Sequence, residues 1–315
     1  MRDLERRRRA RLAAAAAVAG VVVIAGLMLA ARDGSGELAA EPRPVDRFAH
    51  IHGVEVPATD PETVYVSTHE GLIRIGADGQ WRYVSADDHD FMGFRAHPSD
   101  AGVLYSSGHP AAGSGLRNPV GFMISRDGGA TWEPIALEGA ADFHAMAVQS
   151  GDGDVIYGWS GGLHFSDDAG ASWERMPAEA LEQAGGALGL AVHPADADEV
   201  LAATRAGLLR SRDGGRSFEP VLAGAAVTAV EFVPGDADRL VAYVADPPRG
   251  LVRSEDGGQS WTELGWALDG DAAGHIAIHP QDPEDIYVAT YGESLYRSRD
   301  GGRSFEPLAE AGVPR

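Results

Sequence analysis

The chain contains an internal repeat, and seven of its eleven histidines stand at positions where most copies of that repeat have another residue type. These are His50, His52, His69, His89, His109, His144 and His275. Four carboxylates lie near them in sequence: Glu70, Asp88, Asp90 and Asp142. Neutral imidazole and carboxylate are ligands for zinc, copper, manganese and iron, and a carboxylate can also orient a ligating imidazole. These residue types therefore predict a transition-metal site, with zinc or copper as the metal.

The same side chains also fit three other descriptions. One is a hydrated polar funnel in which the histidines bind water and loop backbone. Another is a sugar or peptide pocket with Phe91, Phe143 and Trp159 as aromatic platforms. The third is a glycosidase that uses a pair of the four carboxylates as acid and base. Spacing along the chain does not decide between them, because the ligands would come from different repeats.

The repeat that sets these histidines apart is the pattern Ser-x-Asp-x-Gly-x-x-Trp/Phe. Its copies begin at Ser125, Ser166, Ser211, Ser254 and Ser298, and a shortened copy spans 77–81. A period in the forties is typical of repeat folds in which no unit buries its own apolar face. Each period contains four short segments rich in β-branched and aromatic residues, which we name strands A to D. Six A strands are predicted, at 50–57, 91–98, 143–150, 187–194, 227–234 and 274–280.

These features predict an all-β fold, a β-propeller of six four-stranded blades, with seven blades as the alternative count. The Ser-x-Asp motif resembles the BNR repeat, or Asp-box, of sialidases, sortilin-type receptors and the photosystem II assembly-factor group, over residues 48–307. One aspartate per turn is too few for a calcium site, so we expect a structural role for all five. These aspartates are Asp127, Asp168, Asp213, Asp256 and Asp300.

The repeat register separates two groups of histidines. His97, His193 and His279 precede a proline at the end of strand A and belong to A–B turns, and His164 lies on strand C. The other seven fall at D–A connections, starts of strand A and B–C loops, which share one face of a propeller. We expect His52 and His275 to share one register and to be neighbours where blade 6 meets blade 1. The long B–C loop 107–119 belongs to the same face.

Three further stretches, 48–53, 106–110 and 142–147, are similar to a bacterial membrane-anchored subfamily that carries a glycosylhydrolase label. A sialidase resemblance would imply three arginines on a carboxylate, a Tyr nucleophile with a Glu partner, and an Asp acid. That set is not recognisable here. Arg95 follows Phe94 as in a sialidase motif, but its register places it near the end of strand A, away from the histidine face.

Charge and the N-terminal stretch predict the location and exclude one partner class. The net charge of -21 disfavours nucleic acid, and the chain has no cysteine. Four arginines at 6–9 precede an uncharged run to Ala31 that would form a helix of roughly 30 Å. We expect a signal-anchor or signal peptide at 1–31, a linker at 32–47 and the propeller at 48–315. The propeller would lie outside the cytoplasm, on a single-pass membrane anchor or secreted after cleavage.

The sequence therefore predicts an extracytoplasmic, membrane-tethered binding or assembly module with a histidine-rich, metal-binding opening. A protein or a glycan is the expected ligand at that face. The alternative is a glycoside hydrolase with a sialidase-like fold and a different active site.

Overall fold

The computed structural model of the protein describes residues 43–151 and 153–315. The predicted anchor at 1–31 and most of the predicted linker lie outside these residues. Within the described part of the chain, no helix combines the length and the apolar character needed to cross a membrane. The described residues fold as six antiparallel sheets with one short helix, α1 (Glu179–Gln183), between the third and fourth sheets.

The first three blades follow one another along the chain. Blade 1 contains β1 (Arg43–Pro44), β2 (Ile51–Glu55), β3 (Val64–Thr68), β4 (Gly71–Ile75) and β5 (Trp81–Tyr83). Blade 2 contains β6 (Asp90–Ala96), β7 (Leu104–His109), β8 (Phe122–Ser125) and β9 (Glu133–Ala136). Blade 3 contains β10 (Ala145–Val148), β11 (Ile156–Trp159), β12 (Leu163–Ser166) and β13 (Glu174–Arg175).

The other three blades repeat the pattern. Blade 4 contains β14 (Gly189–Val192), β15 (Val200–Thr204), β16 (Gly207–Ser211) and β17 (Glu219–Ala223). Blade 5 contains β18 (Ala226–Val233), β19 (Asp236–Asp246), β20 (Gly250–Ser254) and β21 (Thr262–Glu263). Blade 6 contains β22 (Ala273–Ile278), β23 (Ile286–Thr290), β24 (Leu295–Ser298), β25 (Glu306–Glu310) and β26 (Val313–Pro314).

The A strands β2, β6, β10, β14, β18 and β22 form the inner wall of the ring. Each contacts the A strand of the next blade, and β22 contacts β2, which closes the circle. Three of the B strands, β3, β15 and β23, are buried at every residue, because neighbouring blades cover both faces of each sheet. The prediction of a propeller with six four-stranded blades is confirmed; β1 and β26 add a fifth strand to blades 1 and 6.

Each Ser-x-Asp turn is held by one set of hydrogen bonds. In blade 2, Ser125 Oγ donates to Asp127 Oδ1 at 2.9 Å and accepts from the Gly129 amide at 2.8 Å. The Thr131 hydroxyl donates to Asp127 Oδ2 at 2.6 Å, and its amide donates to Oδ1 at 2.9 Å. The same bonds recur at Asp168, Asp213, Asp256 and Asp300. Both oxygens of each carboxylate therefore serve the turn.

The second glycine of each turn packs against the preceding blade. A Cβ on Gly170 would lie 2.1 Å from Cε1 of Phe122, on the C strand of blade 2. A Cβ on Gly302 would lie 2.5 Å from Cδ2 of Leu251, on the C strand of blade 5. Such distances are far below van der Waals contact, so this position admits only glycine. The motif thus joins neighbouring blades as well as closing its own turn.

We expect Gly170→Ala to destabilise the propeller more than Gly79→Ala, which lies in the corresponding turn of blade 1. Both residues have a positive φ, +82° and +73°, so both substitutions carry backbone strain of about 1 kcal/mol. Only Gly170 has a neighbour in the way, since nothing lies within 4 Å of a Cβ on Gly79. Overpacking should add about 1–3 kcal/mol to the loss in free energy of unfolding, measured by urea denaturation. Equal losses for the two variants would contradict the interblade role.

Candidate functional site

The starts of the A strands surround a central funnel on the face that carries the B–C loops. Its floor is a cavity of about 30 Å³, lined in part by His52, His144 and His275. A space of that size holds about one water molecule or one ion. Glycines at 53, 93, 189 and 274 line the same cavity and leave it open. The bulky polar residues of its lining are these three histidines together with Glu55 and Arg95.

One cluster in the funnel joins blades 1 and 2 and consists of His52, His69 and Asp90. One ligand atom from each lies within 4.8 Å of the others. Nδ1 of His69 is 2.7 Å from Asp90 Oδ2, and Nε2 of His52 is 3.7 Å from Asp90 Oδ1. The tight Thr68–Gly71 turn carries His69, a bulge in β2 carries His52, and Asp90 opens β6. Three adjacent chain segments thus converge on one point.

His52 Nε2 and Asp90 Oδ1 are both buried and both lack a hydrogen-bond partner within the described structure. Buried polar atoms are almost always paired, so this gap needs a bound water or ion. Two ligand atoms on one tetrahedral zinc ion, each about 2.0–2.2 Å from the metal, lie about 3.3 Å apart. The 3.7 Å between these two atoms is close to that spacing. The donor set and its geometry therefore fit a transition metal.

The imidazole of His52 is in the form that a metal requires. Burial, followed by the neighbouring His69 and His275, lowers the pKa of His52 to about 3. Burial also lowers the pKa of His275 to about 4. Both rings are neutral at physiological pH and carry a free nitrogen lone pair. Metal binding then displaces no proton from either ring.

His50 extends this cluster toward solvent. Its ring centroid is 4.8 Å from that of His69, edge to face, and 6.3 Å from that of His52. His50 has a φ of 45°, which is strained for a residue with a side chain. Its amide donates to Glu293 at 3.3 Å, across the junction with blade 6. Strain of this kind collects at functional sites.

A second cluster joins blades 2 and 3 and consists of His109, Asp142 and His144. Nε2 of His144 is 2.9 Å and Nε2 of His109 is 3.4 Å from the same oxygen, Oδ2 of Asp142. The hydrogen bond to Asp142 raises the pKa of His144, and burial only partly offsets that effect. Oδ1 of Asp142 is buried and has no partner in the described chain. This cluster therefore holds a proton more readily than the first.

The expected shared register of His52 and His275 is wrong by one residue. His275 stands opposite Ala289, the position that Gly53 occupies opposite Ser67 in blade 1. Both strands bulge, but the extra residue is His52 in blade 1 and Gly274 in blade 6. Both histidines still line the same cavity.

Three of the sequence candidates lie beside the funnel and order its loops. His89 is only 2% exposed, and its Nδ1 accepts the amide of Ala111 at 2.8 Å, which holds the base of the 107–119 loop. Glu70 accepts the amide of Ala49 at 2.8 Å. Asp88 forms an exposed ion pair with Arg43. Of the four candidate carboxylates, Asp90 and Asp142 thus lie inside the funnel, each with 18% of its side chain exposed.

Arg95 forms the layer below the funnel. Its guanidinium donates to Glu55 and Glu231 at 2.8 Å each. It also donates to the carbonyls of Met146, at 2.6 Å, and Leu190, at 3.1 Å. These partners belong to blades 1, 5, 3 and 4. Arg95 therefore lies across the central channel and closes the funnel from below.

An alignment of the six blades could have predicted the role of Arg95 in the central channel. Glu55, Arg95 and Glu231 stand at one ladder position, opposite Tyr65, Tyr105 and Val241. The remaining blades have alanine at that position: Ala147, Ala191 and Ala277. One cation and two carboxylates at the inner register of a ring are complementary charges, which an alignment of the blades can reveal.

Comparison with known proteins yields no matching protein family and no matching curated protein. Solved structures do match. A GH74 xyloglucanase from Xanthomonas campestris is 25% identical with a TM-score of 0.56, over 85% of this chain and 47% of that chain. YCF48 from Cyanidioschyzon merolae is 16% identical with a TM-score of 0.51, over 85% of this chain and 87% of that chain.

A GH74 enzyme from Niastella koreensis has a TM-score of 0.60 at 16% identity, over 85% of this chain and 46% of its own. The chain thus spans about half the length of the GH74 enzymes and most of the length of YCF48. These likenesses support the β-propeller fold.

The pKa values of the histidines in the two clusters should be shifted in opposite directions. As pH falls from 8, we expect His144 to gain its proton above 6.5, while His52 and His275 stay neutral until about 3 and 4. Asp142→Asn should bring the pKa of His144 below 6.5, because burial remains and the carboxylate is gone. Imidazole NMR resonances followed against pH measure both effects. Asp88→Asn, on the surface, is the control; a His144 titration unchanged in Asp142→Asn would contradict this account.

Proposed function

We propose that the protein is a binding or assembly module whose funnel holds a transition-metal ion at His52, His69 and Asp90. The observation that carries this proposal is the buried pair of His52 Nε2 and Asp90 Oδ1, which face each other at 3.7 Å without any partner in the described structure. In a hydrated polar funnel without a metal, a water molecule would instead bind between these two atoms. Two neutral imidazole nitrogens and a carboxylate oxygen suit zinc or copper better than magnesium or calcium.

The arrangement leaves room for a ligand on the metal. Three protein ligands with an open fourth position are typical of zinc sites that bind or activate another molecule. The side chains of His50 and His69 are 58% and 41% exposed, so the outer side of the cluster faces solvent. A bound ion would there supply a Lewis acid for a donor atom of the ligand. His109 and His144, at the neighbouring junction of blades 2 and 3, would contribute hydrogen bonds to the same ligand.

Two kinds of ligand have support from the comparisons. YCF48 bound to a D1 peptide has a TM-score of 0.51 and 16% identity, over 87% of each chain, which supports a protein or peptide. The GH74 enzymes support a glycan. A single-pass membrane anchor at residues 1–31, with the propeller outside the cytoplasm, is part of the same proposal and rests on the sequence of that stretch; cleavage of the segment would instead release the propeller.

Metal analysis of the purified protein tests the proposal. We expect about one zinc or copper ion per wild-type chain, and an affinity reduced by at least about tenfold in His52→Ala and Asp90→Asn. His193→Ala is the matched control, because His193 lies in an A–B turn and accepts the Asp196 amide at 3.0 Å. Mass spectrometry of metals and competition with a chelator give both numbers. Absence of stoichiometric metal, or an equal loss in His193→Ala, would reject the site.

Glycoside hydrolysis is the second candidate, favoured by the 25% identity to a xyloglucanase and by the two partly exposed carboxylates in the funnel. Here Asp90 and Asp142 would share the acid and base roles. In that case the protein should release reducing sugar from xyloglucan or from aryl glycosides, and Asp142→Asn should abolish turnover while Asp88→Asn retains it. No turnover on these substrates would reject the hydrolase.

A further inference from the structure

A second cavity lies on the opposite face of the ring, below Arg95. Its volume is about 330 Å³, within the range of roughly 300–1,000 Å³ that small-molecule sites occupy. Apolar side chains from the A strands form its walls: Val56, Val148, Val192, Phe232 and Ile278. Prolines of the A–B turns form its rim: Pro98, Pro194, Pro234 and Pro280. An apolar bowl of this kind favours a ligand with a hydrocarbon body.

The end of this bowl is charged. Glu55, Arg95 and Glu231 all line it, and Arg95 Nη1 is shared between the two carboxylates at 2.8 Å each. The side chains of Glu55 and Glu231 line this cavity and remain 16% and 22% exposed. Two carboxylates and one guanidinium leave an excess of one negative charge. Such an excess is costly in an apolar surrounding unless a proton or a bound cation neutralises it.

No other described group provides that cation. Above the triad, His275 is held neutral by burial, with a pKa lowered to about 4. At the rim, Nδ1 of His97 accepts the amide of Ser99 at 3.1 Å. The described lining from blades 3 and 4 consists of Val148, Ser150, Gly151, Val192 and Pro194. None of these carries a charge.

We infer that the lower cavity binds a small organic ammonium ion, with its charged head on Glu55 and Glu231 and its apolar body along the valine and isoleucine walls. An anion would be repelled by the excess negative charge of the two carboxylates. A neutral ligand would gain no charge pairing with the two carboxylates. A divalent metal ion would require several more oxygen ligands than the walls supply.

Proton release should accompany binding. Burial, with Arg95 and Glu231 acting in opposite directions, raises the pKa of Glu55 to about 7, so without a ligand this carboxyl holds a proton near neutrality. A bound ammonium ion favours the ionised carboxylate and displaces the proton. Affinity should therefore rise about tenfold between pH 6 and pH 8, because the ionised fraction of Glu55 rises by that factor.

Calorimetric titration of the purified full chain with n-hexylamine tests this inference. We expect saturable binding to one site at pH 8, with net proton release near pH 7. Glu55→Gln should weaken binding at least tenfold at pH 8 and abolish the pH dependence. Glu219→Gln, an exposed carboxylate on β17, is the matched control, and thermal unfolding of each variant verifies that it is folded.

Three results would overturn the inference. They are no binding of hexylamine to the wild type, equal affinity of hexylamine for Glu55→Gln and the wild type, or equally tight binding of 1-hexanol, which has the same hydrocarbon body without the charge. His52→Ala removes a proposed metal ligand on the other face and should bind hexylamine like the wild type. The lower site and the metal site can therefore fail independently.

Discussion

The guanidinium of Arg95 is the interaction on which the centre of this propeller depends. Arg95 belongs to blade 2 and binds groups of blades 1, 3, 4 and 5. In this six-bladed ring, the inner strands are close enough for one side chain to reach all four partners. Removing one member of a buried charge network typically costs about 3–5 kcal/mol, because the others lose their partner. Arg95 therefore favours one circular arrangement of the blades and also divides the channel in two.

This division gives the two faces different chemistry. Above Arg95, small residues at the inner wall leave space that histidines and two carboxylates fill from the loops. Below it, the inner strands present valine, phenylalanine and isoleucine. The positive charge of Arg95 acts on both sides. It lowers the pKa of His275 further, and it lowers the pKa of Glu55, which partly offsets the increase caused by burial. A substitution at Arg95 would thus alter both compartments.

Much of the fold could be predicted from the sequence because the repeat states the local structure six times. In five blades the serine of the turn donates the same hydrogen bond to the aspartate. Because the turn requires these two residue types, the motif marks the position of each turn in the sequence. The histidines that break the repeat include His50, His52 and His69, whose rings meet in the structure. Their meeting follows from the blade topology, since the start of strand A and the B–C turn lie at one end of the sheet.

The remaining details depend on local geometry that residue spacing does not encode. The bulges in β2 and β22 differ by one residue, which shifts His275 relative to His52. Asp88 and Asp90 are two residues apart, yet one pairs with Arg43 at the surface and the other faces His52 and His69. His89, between them, turns inward to hold a loop. Such differences arise from packing between blades, and the sequence of one blade does not predict that packing.

Anomalous X-ray scattering from a crystal grown with zinc, measured at the zinc absorption edge, would show whether the funnel binds a metal ion at His52, His69 and Asp90. We expect one strong peak in the funnel, about 2.0–2.2 Å from His52 Nε2, a His69 ring nitrogen and an Asp90 oxygen. A funnel without a peak, or zinc bound only at the A–B turn histidines of the opposite face, would contradict it.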